Sequence, residues 1–327
     1  MKAVVCKEHG LVDKLELVTD WPEPEPEPGE HEVLIDVRAA GLNFPDVLTI
    51  QGKYQTQPPL PFVPGGECSG VVAAVGDKVS RVKVGDEVIS MGGAGAFCEK
   101  IAVNEQVVFP KPESLTFEQA AGVSITYFTT YHAFKQRAGL QPGESLLVLG
   151  AAGGVGSSAV ELGKLMGAKV IAAASSDEKL ELCRKLGADE LINYSEVDLK
   201  STLKELTGGR GVDVVYDPVG GDYAEPAIRN LAWKGRYLII GFASGAIPRI
   251  PLNLALLKGA SLVGVFWGRF AGEEPEVNLK NIEELWELFD SGKISPVVTD
   301  SYPIDRYEEA FNCMIERRAR GKVILTM

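Results

Sequence analysis

Residues 145–156 read SLLVLGAAGGVG, a short apolar run that stops abruptly in small residues and is followed by the helix-like stretch SSAVELGKLMG. The pattern is strand, tight turn and helix start. Gly153 and Gly154 let the backbone come close to a pyrophosphate, with Val155 between them and the helix, and Gly156 lets that helix pack tightly on the strand. The free amides of the helix then face the anion. Ala151 stands where the dinucleotide-binding pattern has its first glycine, so the match is AxGGxG rather than a full GxGxxG. Such turns also occur without a ligand, and the context decides: AKVIAAASS follows the helix as a second strand and closes a βαβ unit.

A chain of 327 residues is long for one core and favours two domains. Its net charge of −12 gives no electrostatic footprint for nucleic acid or an anionic membrane, so an anionic cofactor must be held by a local site. Cys6, Cys68, Cys98, Cys183 and Cys313 are scattered without a CxxC, which suggests neither a disulfide framework nor a zinc knuckle. No apolar stretch is long enough to span a bilayer, and MKAVVCKEHG lacks a signal-peptide pattern, so a cytoplasmic protein is expected.

Before the nucleotide unit, residues 1–6 and 15–18 read as a hairpin, and the Pro-Glu run WPEPEPEPGE as an extended, solvated connector. HEVLIDVRAAG alternates as a half-exposed strand, and glycine and proline then punctuate short valine-rich strands as far as FPKP, an irregular β domain. Residues 115–137 are helical in pattern. After the cradle, helices and strands alternate to SLVGVFWG, residues 261–267, which predicts an α/β fold with a doubly wound parallel sheet. Beyond Trp267 come two helices and the strand KVILTM, a tail expected to return to the first domain. The expected division is 1–123 with 267–327, and 124–266.

Together GLNFPDVLTIQGKY, PFVPGGECSGVVAAVG, AAGGVG, LGADELINY, VDVVYDPVGG and RGKVILTM make the chain resemble the zinc-free quinone oxidoreductase branch of the medium-chain dehydrogenase/reductase superfamily, the group that includes zeta-crystallin. The resemblance implies a GroES-like catalytic domain, a Rossmann domain and an active site in the cleft between them. Zinc alcohol dehydrogenases of the superfamily place Cys and His where this chain has Asn43 and Gly66, and the region of the third ligand reads Ser-Ile-Thr at 124–126. The four-cysteine lobe of those enzymes is missing around MGGAGAFCEK, and His9, His31 and His132 are isolated, so no metal is expected.

NAD-preferring Rossmann proteins end the second strand with an acid that holds the ribose hydroxyls. Here three alanines are followed by Ser175 and Ser176, with Lys179 one turn on, which leaves room for a 2′-phosphate and supplies a cation. Asp177 is the competing feature; by pattern it belongs to the first turn of DEKLELCRKLG. The resemblance places Lys179 and Tyr194, with Arg318 as a third, near that phosphate, and Thr129, Gly241, Phe242 and Phe266 around the nicotinamide. NADPH is the expected cofactor.

A reduced nicotinamide supplies hydride, so the protein must position the acceptor and polarise its oxygen. The candidates are the amide of Asn43 and the phenol of Tyr54; each has a purely structural alternative, shaping the loop before Pro45 or packing under a proline-rich segment. Asp46 is as suited to capping the adjoining helix as to touching ligand, and Leu48 replaces a tyrosine of some relatives. The leading expectation is reduction of quinones or related conjugated carbonyls. A 2-enoyl thioester or enone reductase is the second reading, weakened by the dispersed Lys53, Lys78, Arg81 and Lys83. A structural or nucleic-acid-binding NADPH protein is the third, opposed by the acidic balance. The apolar segment 261–267 predicts a homodimer through the edge of the Rossmann sheet.

Overall fold

In the computed structural model, which describes residues 1–25, 28–91 and 93–327, the chain divides into two units, Met1–Ile125 with Phe289–Met327, and Thr126–Leu288. Pro26 and Glu27 of the Pro-Glu connector, and Gly92 of the segment read for a cysteine lobe, lie outside the described residues.

The first unit opens with β1 (Ala3–Cys6) and β2 (Leu15–Val18), an antiparallel pair. Its central strand is β3 (Glu32–Leu42), where Val33, Ile35 and Val37 point into the core, Leu34 is buried as well, and Ala39 to Leu42 are buried on both faces rather than half-exposed. β4 (Glu67–Val75) pairs with β3, β5 (Glu87–Ser90) with β4, β6 (Lys100–Asn104) with β3 and β7 (Val108–Pro110) with β5, all antiparallel.

The second unit holds β8 (Ser145–Leu149), β9 (Lys169–Ala174), β10 (Glu190–Asn193), β11 (Val212–Asp217), β12 (Leu231–Ile239) and β13 (Ser261–Gly264). They form one parallel sheet in the order β10-β9-β8-β11-β12-β13. Leu146, Leu147, Val148 and Leu149 of β8 are all fully buried, as a strand covered on both faces must be. The order reverses between the paired strands β8 and β11, the topological switch point beside whose carboxyl ends open α/β sheets take ligands.

The tail then returns. β15 (Lys322–Thr326) lies between β14 (Val298–Pro303), to which it is parallel, and β3, to which it is antiparallel. The helix Tyr307–Ile315 adds Phe311 to the first core, edge-on to Phe97 at 5.9 Å. The first unit is thus assembled from both ends of the sequence.

Three elements differ from the sequence reading. The chain leaves the second unit after Leu288 rather than at 267, because the helix Pro275–Asp290 is tied to the stretch at 124–138. Tyr131 donates to Glu284 at 2.6 Å, Gln136 to Asn281 at 3.0 Å, and the rings of Phe128 and Trp286 lie 5.6 Å apart. The helix read over 115–137 is broken into α-helical Phe117–Ala120 and Thr129–His132 and π-helical Ser124–Phe128 and Ala133–Ala138. Near the first break the Ile125 amide donates to the Glu67 carboxylate at 3.0 Å instead of to a helical carbonyl. The edge strand ends at Gly264, three residues early, since Trp267 starts a helix and donates its indole N–H to Asn278 at 3.0 Å.

Candidate functional site

In the second unit the turn after β8 carries the phosphate-cradle geometry. Gly150 has φ 58°, Gly153 is the N-cap of the helix Gly154–Leu165, and the first helical bond runs from the Ser157 amide to the Gly153 carbonyl at 2.7 Å. The amides of Gly154, Val155 and Gly156 therefore have no intrahelical acceptor. A Cβ on Gly156 would stand 2.2 Å from the Gly150 carbonyl oxygen, so only glycine lets the helix start this close to the strand. Below the cradle, Thr130 shares its hydroxyl with Ser158 of that helix and Tyr216 of β11, each at 2.8 Å, which pins three elements together.

At the end of β9, Lys179 reaches back so that Nζ donates to Ser175 Oγ at 3.1 Å, while Ser176 caps the next helix by accepting the Lys179 amide at 3.4 Å. The Asp177 carboxylate accepts from Asn193 Nδ2 at 3.0 Å on the exposed first turn of that helix, whose N-cap is Ser176. Tyr194 is half-buried, and its ring lies 4.3 Å from that of Tyr223. Tyr223 was missed from sequence because its partner comes from a different βα unit. Thr129, Gly241 and Phe242 are half-buried in the second unit, and Phe266 is exposed beside the end of β13. Arg318 belongs to the first unit, where its guanidinium pairs with Glu316 at 2.7 Å.

The first unit gathers Asn43, Asp46, Glu67 and Lys322, all buried. Lys322 arrives on β15, Glu67 opens β4, and Asn43 with Asp46 starts the helix Phe44–Ile50. Lys322 Nζ donates to Glu67 Oε1 and to Asn43 Oδ1 at 2.7 Å each, and to the Leu42 carbonyl at 3.1 Å. Asn43 Nδ2 donates to Glu67 Oε1 at 2.8 Å and to the Gly41 carbonyl at 3.2 Å. Both hydrogens of the carboxamide and all three of the ammonium are thus engaged inside the protein. Sequence motifs singled out Asn43 but missed Glu67 and Lys322, whose pairing spans 255 residues.

Asp46 accepts the Asn43 amide at 2.7 Å, and the Gly65 amide as well. Burial dominates these bonds and pushes its carboxyl up to about 7. Tyr54 is half-buried, and its hydroxyl has no hydrogen-bond partner among the described residues. Burial, with the Asp46 charge, raises its pKa above the ordinary value of 10.0, so at neutral pH it is a proton-bearing donor.

Residues 29–113 match the family described as alcohol dehydrogenase GroES-like domain, and residues 154–284 the family described as zinc-binding dehydrogenase. The chain is 38% identical over 327 residues to the quinone oxidoreductase-like protein 2 homolog of Nematostella vectensis, covering 99% of this chain and 88% of that one. It superposes on Escherichia coli quinone oxidoreductase complexed with NADPH with a TM-score of 0.93 at 30% identity, covering 100% of both chains. CurK enoyl reductase gives a TM-score of 0.87 at 29% identity, covering 100% of this chain and 99% of that one. A GroES-like unit joined to a Rossmann unit defines the medium-chain dehydrogenase/reductase class of oxidoreductases. Within that superfamily the chain belongs to the quinone oxidoreductase branch.

Zinc, which the second family description implies, is not suited to the residues present. A zinc site takes three protein donors from Cys, His or carboxylate. Here Asn43 Oδ1 and Glu67 Oε1 already receive a lysine ammonium, and no grouping of three or more Cys, His, Asp and Glu side chains among the described residues is arranged to hold a metal. No helix among them is long and apolar enough to cross a membrane.

Two outcomes follow from this cluster. Lys322→Met leaves Glu67 charged, buried and unpaired, and should lower the unfolding free energy by about 3–5 kcal/mol; adding Glu67→Gln should recover most of the loss in urea titrations. Asp46 is protonated in the folded protein over a range where the unfolded chain, at the ordinary 3.8, has ionised. Its contribution to stability is therefore present at low pH and lost as pH rises through about 7. The stability difference between wild type and Asp46→Asn should fall by about 4 kcal/mol from pH 4 to pH 8. A difference that stays flat over that range would mean the carboxyl ionises normally.

Proposed function

We propose that this protein uses NADPH to reduce quinones or related conjugated carbonyls by hydride transfer without a metal. The observation that carries the reading is the end of β9, where Ser175 and Lys179 are joined by a hydrogen bond and the nearby acid, Asp177, is held by Asn193. A 2′-phosphate needs a cation and hydroxyl donors there, and a carboxylate aimed at it would repel it. The cradle fits the dinucleotide, since the amides of Gly154, Val155 and Gly156 have no intrahelical acceptor and the missing Cβ of Gly156 lets the helix start against the Gly150 carbonyl.

Bound NADPH would supply the hydride. The amides of Gly154, Val155 and Gly156 would hold the pyrophosphate in a turn that Gly153 closes by donating its own amide to the Gly150 carbonyl at 3.0 Å, Ser175, Ser176, Lys179 and Tyr194 would hold the 2′-phosphate, and Thr129, Gly241, Phe242 and Phe266 the nicotinamide. Of the two catalytic candidates, Tyr54 keeps a free hydroxyl and donates to the acceptor oxygen. Asn43, locked by Glu67 and Lys322, shapes the wall beside it. A quinone suits this arrangement because the oxyanion formed by hydride transfer is delocalised and takes the one proton it needs from water, with Tyr54 only hydrogen-bonding to it.

The free Tyr54 hydroxyl also suits a second reading, reduction of a 2-enoyl thioester or enone with protonation at the α-carbon, and the likeness to CurK enoyl reductase supports it. The reading includes a homodimer in the cytoplasm. β13 is an edge strand, and Leu252, Leu256 and Leu257 just before it are 74%, 78% and 71% exposed, an apolar surface that a second copy would cover.

Wild type should bind NADPH at least tenfold more tightly than NADH, and Lys179→Ala should weaken NADPH alone by about tenfold, the scale of one charge-assisted contact. NADPH oxidation with ortho- and para-quinones, enones and short enoyl thioesters separates the two enzymatic readings; turnover confined to thioesters would reject the first. A light-scattering mass of one chain would reject the dimer.

A further inference from the structure

We propose that Asp217 and Tyr237 are a positioning pair that holds the loop carrying Gly241 and Phe242 against the phosphate cradle, and so fixes the nicotinamide end of the bound nucleotide. The inference rests on the NADPH reading above, which gives those loop residues their role.

Asp217 is the last residue of β11 and is 2% exposed. One carboxylate oxygen accepts the amides of Val219 at 2.7 Å and Gly220 at 2.8 Å. The other accepts the hydroxyl of Tyr237, a buried residue of the neighbouring strand β12. Two successive amides on one oxygen define the turn that leaves β11. Burial pushes this carboxyl up from its ordinary range, and the Tyr237 hydroxyl and the two amides oppose that shift.

The turn is bonded in register to the loop after β12. The Asp217 carbonyl accepts the Ile240 amide at 3.0 Å, the Pro218 carbonyl the Ala243 amide at 2.9 Å, and the Val219 carbonyl the Ser244 amide at 2.9 Å; the Gly221 amide donates back to the Ala246 carbonyl at 3.0 Å. Gly220 has φ 66°, and a Cβ there would stand 2.8 Å from the Phe242 ring, so the ring lies directly on the turn. At the other end, Val219 Cγ2 would stand 2.8 Å from a Cβ on Gly150, where the cradle begins. Cradle, turn and loop are therefore one block, and the Asp217 side chain bonds to both the turn and β12.

A buried acid with no cation beside it is an expensive way to join two strands, and an apolar pair would join them as well. What an apolar pair cannot do is accept two consecutive amides and set the direction of the next residues. That function points to the loop, not to the sheet.

The test uses the full-length protein and two ligands: NADPH, and 2′,5′-ADP, which carries the 2′-phosphate half and lacks the nicotinamide. Tyr237→Phe removes the hydroxyl and keeps the ring; Asp217→Asn keeps the shape and removes the charge. Each should raise the Kd of NADPH about tenfold, the scale of one hydrogen bond to a charged group, and leave the Kd of 2′,5′-ADP within twofold of wild type. At saturating NADPH, kcat should fall as well. Equal losses for the two ligands, or none for either, would overturn the inference. If wild type binds neither ligand, the NADPH reading fails, and the inference with it.

Discussion

The first unit depends on placing one ammonium, that of Lys322, in a buried site beside the Glu67 carboxylate. Its side chain is 5% exposed and that of Glu67 is fully buried. Two ions taken out of water are tolerated only if every remaining proton and lone pair finds a partner. Here each ammonium hydrogen has an acceptor, and Glu67 also accepts Asn43 and the Ile125 amide. Space is made by glycines: a Cβ on Gly41 would stand 2.7 Å from Glu67 Oε1, and one on Gly122 would stand 2.8 Å from Cγ of Lys322. Because loop-closure entropy grows only slowly with length, a contact across 255 residues costs little more than one across a few dozen. The long insertion that forms the second unit is therefore compatible with a first unit built from both chain ends.

The two units use burial in opposite ways. In the first, the donors of Asn43 and Lys322 are satisfied inside one buried cluster with Glu67, and the phenol of Tyr54, near the Asp46 carboxyl, has no hydrogen-bond partner among the described residues. In the second, the amides of Gly154, Val155 and Gly156 are held out of the helix ladder by the N-cap geometry of Gly153. Unengaged donors in a fixed frame attract lone pairs; under the proposed function these would be a carbonyl oxygen in one case and a phosphate in the other.

The parts of this arrangement legible in the sequence are those made by residues close together in it. The cradle at 145–156, the serines after β9 and the alternating helices and strands each announce themselves within a dozen positions. The two-unit α/β architecture follows from them. Asn43 was legible as a position but not as a state, because whether an amide is free depends on Glu67 and Lys322, which no local pattern links to it. The helix at 115–137 was misread as continuous for a similar reason. Its composition is helical throughout, and a carboxylate from β4 takes one of its amides. The edge strand looked longer than it is because hydrophobicity continues past Gly264, while the indole of Trp267 commits to Asn278. Asp217 sat in plain view within VDVVYDPVGG, yet its partner Tyr237 lies one strand further on.

Asp46 and Asp217 belong to one class of feature. Each is a carboxyl in the interior, raised by burial, and each accepts two backbone amides where the chain changes direction beside a candidate ligand-binding segment. Neither is needed to fill volume, since an apolar residue fills volume at lower electrostatic cost. A carboxylate instead gives the backbone a fixed acceptor of high strength, so the residues after it take one path rather than several. Asp46 fixes Asn43 and Gly65, on either side of the segment that carries Tyr54, and Asp217 fixes the turn at Val219 and Gly220, before the loop that carries Phe242. Both ends of a hydride transfer, the acceptor oxygen and the donor ring, require placement finer than hydrophobic packing alone supplies. Under the proposed function, the two buried acids would serve that requirement by fixing backbone next to the side chains proposed to contact the ligands.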